Sequence, residues 1–214
     1  MTRSHDPTLY TALIPATTIM FSDLITVLEQ DPSLSETRRR DMISGLRRVA
    51  KAIHHAPQDV PCHGRWLQPR LSKVAPAALR ISQKGWQNVV SDARSAMAHV
   101  GIVERRQNRL SDLSPAWQTL WSSLLASDRS KSLQPALCRF VHFLSNRGID
   151  PDEVSADHAA IYKDALLHNE ISKSPDTAQR AAMTSWNTAA RSVPNWPRVE
   201  LPIENRQRRF SLPV

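Results

Sequence analysis

The chain has 214 residues, 41% of them hydrophobic and six of them tryptophan, a composition typical of a folded protein and not of a disordered one. Lys and Arg number 28 against 20 Asp and Glu, and the formal net charge of +8 favours a polyanionic partner. Two widely separated cysteines exclude a disulfide framework and indicate a reducing cytoplasm, and no apolar run reaches the roughly 18 residues that a membrane span requires.

Apolar residues at helical spacing predict an all-α fold, and strand patterns are scarce. In the first half we expect helices at about 18–30, within 33–56, at about 66–71 and from Ser82 to about 100. Ser33 and Glu36 predict a capping box at the second of these helices. The residues expected to face the core are Phe21, Leu24, Ile25, Leu28, Met42, Leu46, Val49, Ile53, Trp86, Val89, Val90, Ala93 and Met97.

After Gly101 the polar, charged stretch IVERRQNRLSDLSPA predicts a linker. In the second half we expect helices at about 115–126, 132–147, 155–169 and 174–193. Gly148 follows the second of these helices, where a left-handed residue commonly ends a helix. The residues expected to face the core are Trp117, Leu120, Trp121, Leu124, Leu137, Phe140, Val141 and Leu144.

The two halves of the chain are similar, which predicts two consecutive small four-helix bundles joined by a charged linker. GLRRVAKAIHHAPQDV is similar to ALCRFVHFLSNRGIDPDEV, and Ala93-Arg94-Ser95 corresponds to Ala190-Arg191-Ser192, at a period near 91–97 residues. The resulting boundaries are an N-terminal arm (1–17), a first bundle (18–101), a linker (102–114), a second bundle (115–197) and an extended basic tail (198–214).

The positive charge is concentrated in the first bundle and the linker. Residues 32–110 carry 15 basic and 5 acidic side chains, whereas residues 111–200 carry 9 and 10. On a helical wheel Arg40, Arg47, Arg48 and Lys51 fall opposite the core residues of the second helix, and we call these four residues the basic face. A solvated surface is the plain interpretation. The excess charge of the whole segment favours a face that binds a polyanion, because unpaired like charges repel one another.

The sequence carries no catalytic or cofactor signature. His54-His55 and Cys62-His63 lack the paired spacing of a zinc site, so we expect no metal. No G-x-x-x-x-G-K-S/T, G-x-G-x-x-G or G-x-S-x-G motif occurs, and we expect no cofactor and no small-molecule substrate. The tryptophans lie at core spacing, which favours packing over base stacking.

Three stretches carry a resemblance to a known family: RWLQPRLSKVAPAALRISQKGWQNVVSDARSAMAHVGI, LCRFVHFLSNRGIDPDEV and SWNTAARSVPNWPRVELPIENRQRRFSLP. Over most of residues 20–212 the chain resembles the N-terminal half of bacterial phage-integrase-type site-specific integrases, the tyrosine recombinases. The resemblance implies SAM-like helical core-binding bundles that grip duplex DNA during DNA integration and recombination.

The catalytic residues of that family have no counterpart in this sequence. The chain contains no H-x-x-R, and its two tyrosines, Tyr10 and Tyr162, both lie in the helical region instead of at the position of the nucleophile. The chain ends about where the catalytic domain of the family begins. We therefore expect that this chain on its own neither cuts nor joins DNA.

Charge and resemblance together assign the expected DNA contacts: Arg40, Arg47, Arg48, Lys51, Lys84, Asn88, Arg94, Arg105, Arg106, Arg109, Arg139, Arg180 and Arg191, with Arg206, Arg208 and Arg209 of the tail as further phosphate contacts. The expected partner is double-stranded DNA in the bacterial cytoplasm, bound at the nucleoid by one copy of the chain or by several, with no membrane. Two alternatives stay open: a helical protein-interaction adaptor whose basic face docks an acidic partner, and a stand-alone DNA-binding regulator.

Overall fold

The chain folds into helices in a computed structural model, which describes residues 14–15 and 17–203. Over that part of the chain there are eight α-helices and no β-strand, so the prediction of an all-α fold is confirmed. No helix among these residues has both the length and the apolarity needed to cross a membrane. The helices are α1 (Phe21–Gln30), α2 (Glu36–Ala52), α3 (Gly64–Leu71), α4 (Gln83–His99), α5 (Pro115–Ala126), α6 (Ser130–Asn146), α7 (Ala156–Asn169) and α8 (Pro175–Ser192).

The start of α2 differs from the prediction by two residues. Ser35 is the N-cap, and its hydroxyl accepts a hydrogen bond from the Arg38 N–H at 3.3 Å. Ser33 belongs to the turn after α1, where its N–H donates to the Asp31 carboxylate at 2.7 Å. The predicted capping box at Ser33 and Glu36 is therefore wrong, because Asp31 holds Ser33 in the turn.

The first compact unit comprises the described residues up to 105 together with residues 165–175. The core residues predicted for α1, α2 and α4 are buried, apart from Ile53, which is partly buried at the end of α2. The close approach of α2 and α4 occurs at Gly45, where a Cβ would lie 2.7 Å from the Ala93 amide nitrogen and 2.8 Å from the Asp92 Cβ. Only glycine leaves room for this crossing, because interiors are close-packed.

Residues 165–175 form the end of α7 and the loop that follows it, and they pack within the first unit. Ile171 is fully buried in the core of that unit, and the Asn169 side chain accepts a hydrogen bond from the Glu104 N–H at 2.8 Å. A Cβ on Gly64 would collide with the His168 carbonyl oxygen. The predicted second bundle, 115–197, includes these residues, but burial of Ile171 and the hydrogen bonds of Asn169 place them with the first unit.

The second compact unit comprises residues 106–164 and, among the described residues, 176–203. Its core is aromatic: the rings of Trp117, Trp186 and Trp196 meet edge to face, with centroids 5.2 to 6.4 Å apart. Phe140 packs 5.7 Å from Trp186 and 4.8 Å from Tyr162. Tyr162 is therefore a core residue. The other residues predicted to line the core of α5 and α6 are also buried.

The residues that follow α8 run along that helix. The Trp186 indole N–H donates to the Val199 carbonyl at 2.9 Å, and the Asn187 amide exchanges two hydrogen bonds with the backbone of Leu201, at 2.9 and 2.8 Å. Because these bonds satisfy buried polar groups, they hold residues 199–201 against the second unit.

The order of the α-helices repeats along the chain, with one difference in the turns between them. α1, α2, a 3-10 turn, α3 and α4 are followed by α5, α6, a 3-10 turn, α7 and α8, but a second 3-10 turn, Pro76–Leu79, lies only between α3 and α4 among the described residues. The first residues of the first three pairs (21 and 115, 36 and 130, 57 and 151) differ by 94, and those of the last two (64 and 156, 83 and 175) differ by 92. These spacings fall within the predicted range of 91–97 residues, but they differ from the predicted pairings for the same helices, which place Gly45 and Ala136 91 residues apart and Arg94 and Arg191 97 residues apart. The duplication itself stays a prediction.

An ion pair joins the ends of α1 and α4 in the first unit. The Asp31 carboxylate lies 2.5 Å from His99 Nε2 and also accepts a hydrogen bond from the Ser33 N–H. The hydrogen bond from His99, followed by those from Ser33, lowers the pKa of Asp31 from its usual 3.8 to about 2.

This lowered pKa predicts how stability depends on pH. The folded pKa of Asp31 lies below its unfolded value, so its contribution to stability is complete above pH 3.8 and is lost as the pH falls toward 2. We expect Asp31→Asn to lower the melting temperature at about pH 5 and to change it little at about pH 2, measured by circular dichroism. Asp128→Asn, on an exposed turn, is the control for loss of a charge. An equal decrease for Asp31→Asn at both pH values would contradict the role of this pair.

Candidate nucleic-acid interface

The basic face lies on the outward side of α2, and all four of its residues are exposed. The side chains of Arg40 and Arg47 are 75% and 59% exposed. Met42, Leu46 and Val49, on the opposite side of the helix, are buried. From Arg40 to Lys51 the face extends for about 16 Å along the helix axis at 1.5 Å per residue. The helix therefore presents its cations to solvent on a single side.

Carboxylates border the basic face on both sides. From α1, Glu29 Oε1 lies 3.2 Å from Arg47 Nη2, and from α4, Asp92 Oδ1 lies 3.3 Å from Arg38 Nη1. Burial raises the pKa of Asp92, and the charges of Arg38 and Arg48 oppose that increase. The first pair engages Arg47, a residue of the basic face, and the second engages Arg38, which lies outside it. Within α2, Asp41 Oδ1 also lies 3.7 Å from Arg40 Nη2. Among the described residues no ion pair involves Arg48 or Lys51.

An open concavity of about 420 Å³ lies beside α2. It brings three residues of the basic face together with one further arginine and two glutamates, so its lining carries two more positive than negative charges. Lys51 follows one turn after Arg47 on the same side of the helix. The lining residues are Glu29, Glu36, Arg39, Arg40, Ile43, Ser44, Arg47 and Arg48.

The predicted contacts on α4, Lys84 and Asn88, lie on the polar side of that helix. Asp92 lies at the edge of α4 that meets α2. On the helical wheel Asn88 falls about 40° and Lys84 about 80° from Asp92, on the side away from the core. Both residues are exposed. The polar side of α4 therefore begins where its contact with α2 ends.

Arg94 has a different place from the one predicted. It is 8% exposed, and its guanidinium donates to the Glu104 carbonyl at 2.7 Å and to the Asn169 carbonyl at 3.2 Å. Charge-assisted bonds of this kind fix a buried cation in place. The prediction that Arg94 contacts DNA is therefore wrong, because the side chain holds the linker and the end of α7 in the first unit.

The remaining predicted contacts are distributed between the two units. Arg105, at the end of the first unit's main segment, and Arg106 and Arg109, in the second unit, are exposed. In the second unit Arg139 and Arg180 are partly buried, and Arg191 is exposed and lies 2.5 Å from Glu200. Most of the predicted N-terminal arm and the tail arginines Arg206, Arg208 and Arg209 lie outside the described residues.

Five residues of the concavity were not among the contacts predicted from the sequence: Glu29, Glu36, Arg39, Ile43 and Ser44. Arg39 is partly buried, and its guanidinium donates to the carbonyl oxygens of Asp31 and Leu34, at 2.7 and 3.3 Å. Ser44 is exposed and lies between the arginines of the basic face on the helical wheel. The wheel could have identified Ser44, whereas the role of Arg39 depends on the turn after α1.

A smaller cavity of about 290 Å³ in the first unit has Cys62, His63 and His168 in its lining. Burial raises the pKa of the Cys62 thiol to about 12, and burial, followed by the charges of His168 and Arg65, lowers the pKa of His63. Both side chains are therefore uncharged near neutral pH. Within residues 14–15 and 17–203 no group of three His, Cys, Asp or Glu side chains is arranged to hold a metal ion.

Compared with protein-family models, with curated proteins and with solved structures, the chain gives no match.

Proposed function

We propose that this chain is a DNA-binding portion of a site-specific integrase and that it grips duplex DNA through the basic face of α2. The observation that carries the proposal is the exposure of four cations on one side of one helix, beside a concavity lined by four arginines. Arginine binds phosphate oxygens through a planar fork of N–H donors, which suits a backbone grip.

The dimensions of α2 suit a duplex. The major groove of B-DNA is about 12 Å wide and admits an α-helix. Arg40 and Arg47 are separated by about 10 Å along the axis of α2, so the two guanidiniums can reach different phosphates. Ser44, between them, would then face base edges, and Asn88 and Lys84 of α4 would follow the adjacent backbone.

The integrase part of the proposal depends on the resemblance of the sequence to that family. The repeat of elements at 92–94 residues is consistent with the two consecutive core-binding bundles that the resemblance implies. The reaction itself needs the arginine, lysine, H-x-x-R and tyrosine of the family, for which the chain has no matching motif. The proposed role is therefore binding, in the bacterial cytoplasm, with chemistry supplied by other residues.

A salt titration tests the grip. Because each neutralised phosphate releases counterions, the logarithm of the affinity falls with the logarithm of the salt concentration with a slope of about −0.9 per phosphate. If the basic face holds about four phosphates, affinity for a labelled duplex should fall about 150-fold between 50 and 200 mM salt, as measured by fluorescence anisotropy. Equal affinity at the two salt concentrations would exclude a phosphate grip. An adaptor that docks an acidic protein would bind that partner and show no measurable affinity for the duplex.

A further inference from the structure

The ion pair between Glu29 and Arg47 lies within the concavity that we assign to DNA. The two side chains come from different helices, α1 and α2, and both are about half exposed, at 52% and 59%. We infer that Glu29 occupies Arg47 as an internal substitute for phosphate, and thereby lowers the affinity of the basic face for DNA. This inference rests on the proposed function, and it adds that an ion pair within the chain limits the affinity for DNA.

The carboxylate of Glu29 and a DNA phosphate are acceptors of the same kind. A carboxylate and a phosphate both present oxygen atoms to the N–H fork of a guanidinium, so they compete for the same donors. In the structure the Arg47 Nη2 atom donates to Glu29 Oε1 at 3.2 Å. An exposed ion pair is weak and is screened by salt, so a DNA phosphate can replace it.

The position of Glu29 also adds repulsion. It lines the concavity with four arginines, and its charge reduces their surplus over the carboxylates from three to two. A DNA backbone that enters must displace the carboxylate and leave it near a phosphate of like charge. Movement of Glu29 therefore frees the Arg47 Nη2 donor that it occupies and removes a like charge from beside the phosphate.

Glu36 provides a matched comparison. It lines the same concavity and carries the same charge. Its negative charge in the first turn of α2 interacts favourably with the helix dipole. Removing either charge changes the net charge of the concavity equally, but only Glu29 is bonded to Arg47. A difference between the two variants therefore isolates the contribution of the ion pair.

The test uses the full chain with a labelled duplex of about 20 base pairs, two helical turns. We expect Glu29→Gln to bind about two- to fivefold more tightly at 50 mM salt, the size of an exposed ion pair, and to steepen the salt slope by up to about 0.9. Glu36→Gln should give a smaller gain, and Asp128→Asn, in the second unit, controls for whole-chain charge. In an Arg47→Gln background the gain from Glu29→Gln should disappear.

The outcomes separate this inference from the proposed function. No gain for Glu29→Gln, or a gain equal to that of Asp128→Asn, overturns the inference while loss of binding in Arg47→Gln still supports the DNA grip. A gain that persists in the Arg47→Gln background also overturns it, because Glu29 then acts by general repulsion. If Arg47→Gln and Arg48→Gln both leave binding unchanged, the proposed function itself fails.

Discussion

Replacing Gly45 with valine is expected to destabilise the first unit by about 3 kcal/mol. The Cβ of any side chain at this position would lie 2.7 Å from the Ala93 amide nitrogen and 2.8 Å from the Asp92 Cβ, and the closest of these atoms belongs to backbone. Backbone cannot move aside as the end of a side chain can, so α2 and α4 must separate. Separation exposes part of the core between them and lengthens the ion pair between Arg38 and Asp92, now 3.3 Å.

Urea unfolding followed by tryptophan fluorescence measures this effect, because Trp86 lies buried on α4. Gly85→Ala is the matched control. Gly85 is also in a helix of the first unit, and a Cβ there would meet the Ser82 hydroxyl oxygen at 3.3 Å and the Ile81 Cβ at 3.8 Å, both side-chain atoms. We expect that control to be neutral or slightly stabilising, since alanine favours helix by up to about 1 kcal/mol. A Gly45→Val protein with the stability of the original chain would show that the crossing is not as tight as described.

Helical periodicity in the sequence was sufficient to identify the helices and their buried sides. Buried apolar residues at spacings of three and four mark α1, α2, α4, α5 and α6, and the residues predicted from them are buried in the structure apart from Ile53, which is partly buried. Gly148 also follows a helix end that was predicted and has a φ of 68°, and α8 begins at Pro175, one residue after its predicted start. Local chemistry determines these features, so a single sequence carries them.

Features that depend on distant partners could not be predicted. The sequence around Arg94 is that of an exposed basic helix margin, and its burial depends on carbonyl groups 10 and 75 residues away. The same holds for Ile171, which lies on no periodic helix and yet is fully buried in the first unit. The acids that border the basic face, Glu29 and Asp92, come from other helices, so a wheel of α2 alone could not include them.

The two arginines paired by sequence similarity, Arg94 and Arg191, do not occupy equivalent places in their helices. They are 97 residues apart in the sequence, whereas α4 and α8 begin 92 residues apart, so the pairing is shifted by five residues from the helix spacing. Arg94 is buried against backbone carbonyls, whereas Arg191 is exposed and bonded to Glu200. The charge of the chain is also uneven, because the surplus of basic side chains lies in residues 32–110. We accordingly assign the main DNA grip to the first unit.

Reversing two charges of the basic face should abolish this grip. We expect Arg47→Glu combined with Arg48→Glu to reduce affinity for a labelled duplex by at least about 100-fold at 50 mM salt, and to make the salt slope shallower by about 2, one unit for each lost phosphate contact. The reversal removes two cations from the concavity and places two carboxylates where a phosphate would lie. Anisotropy titrations at several salt concentrations give both quantities.

The control must change the charge of the chain by the same amount at another place in the first unit. Lys73→Glu combined with Arg80→Glu does so, because both residues are exposed between α3 and α4 and neither belongs to the basic face. We expect this control to bind only a few-fold more weakly, through the long-range field alone. In the Arg47→Glu variant the new carboxylate would lie near Glu29, and repulsion between them could destabilise the fold. Arg47→Gln combined with Arg48→Gln avoids this repulsion, so a loss of affinity in that variant comes from binding and not from folding. Equal losses of affinity for the two charge-reversal variants would mean that DNA binding depends only on the net charge of the chain. The assignment of the grip to α2 would then be wrong.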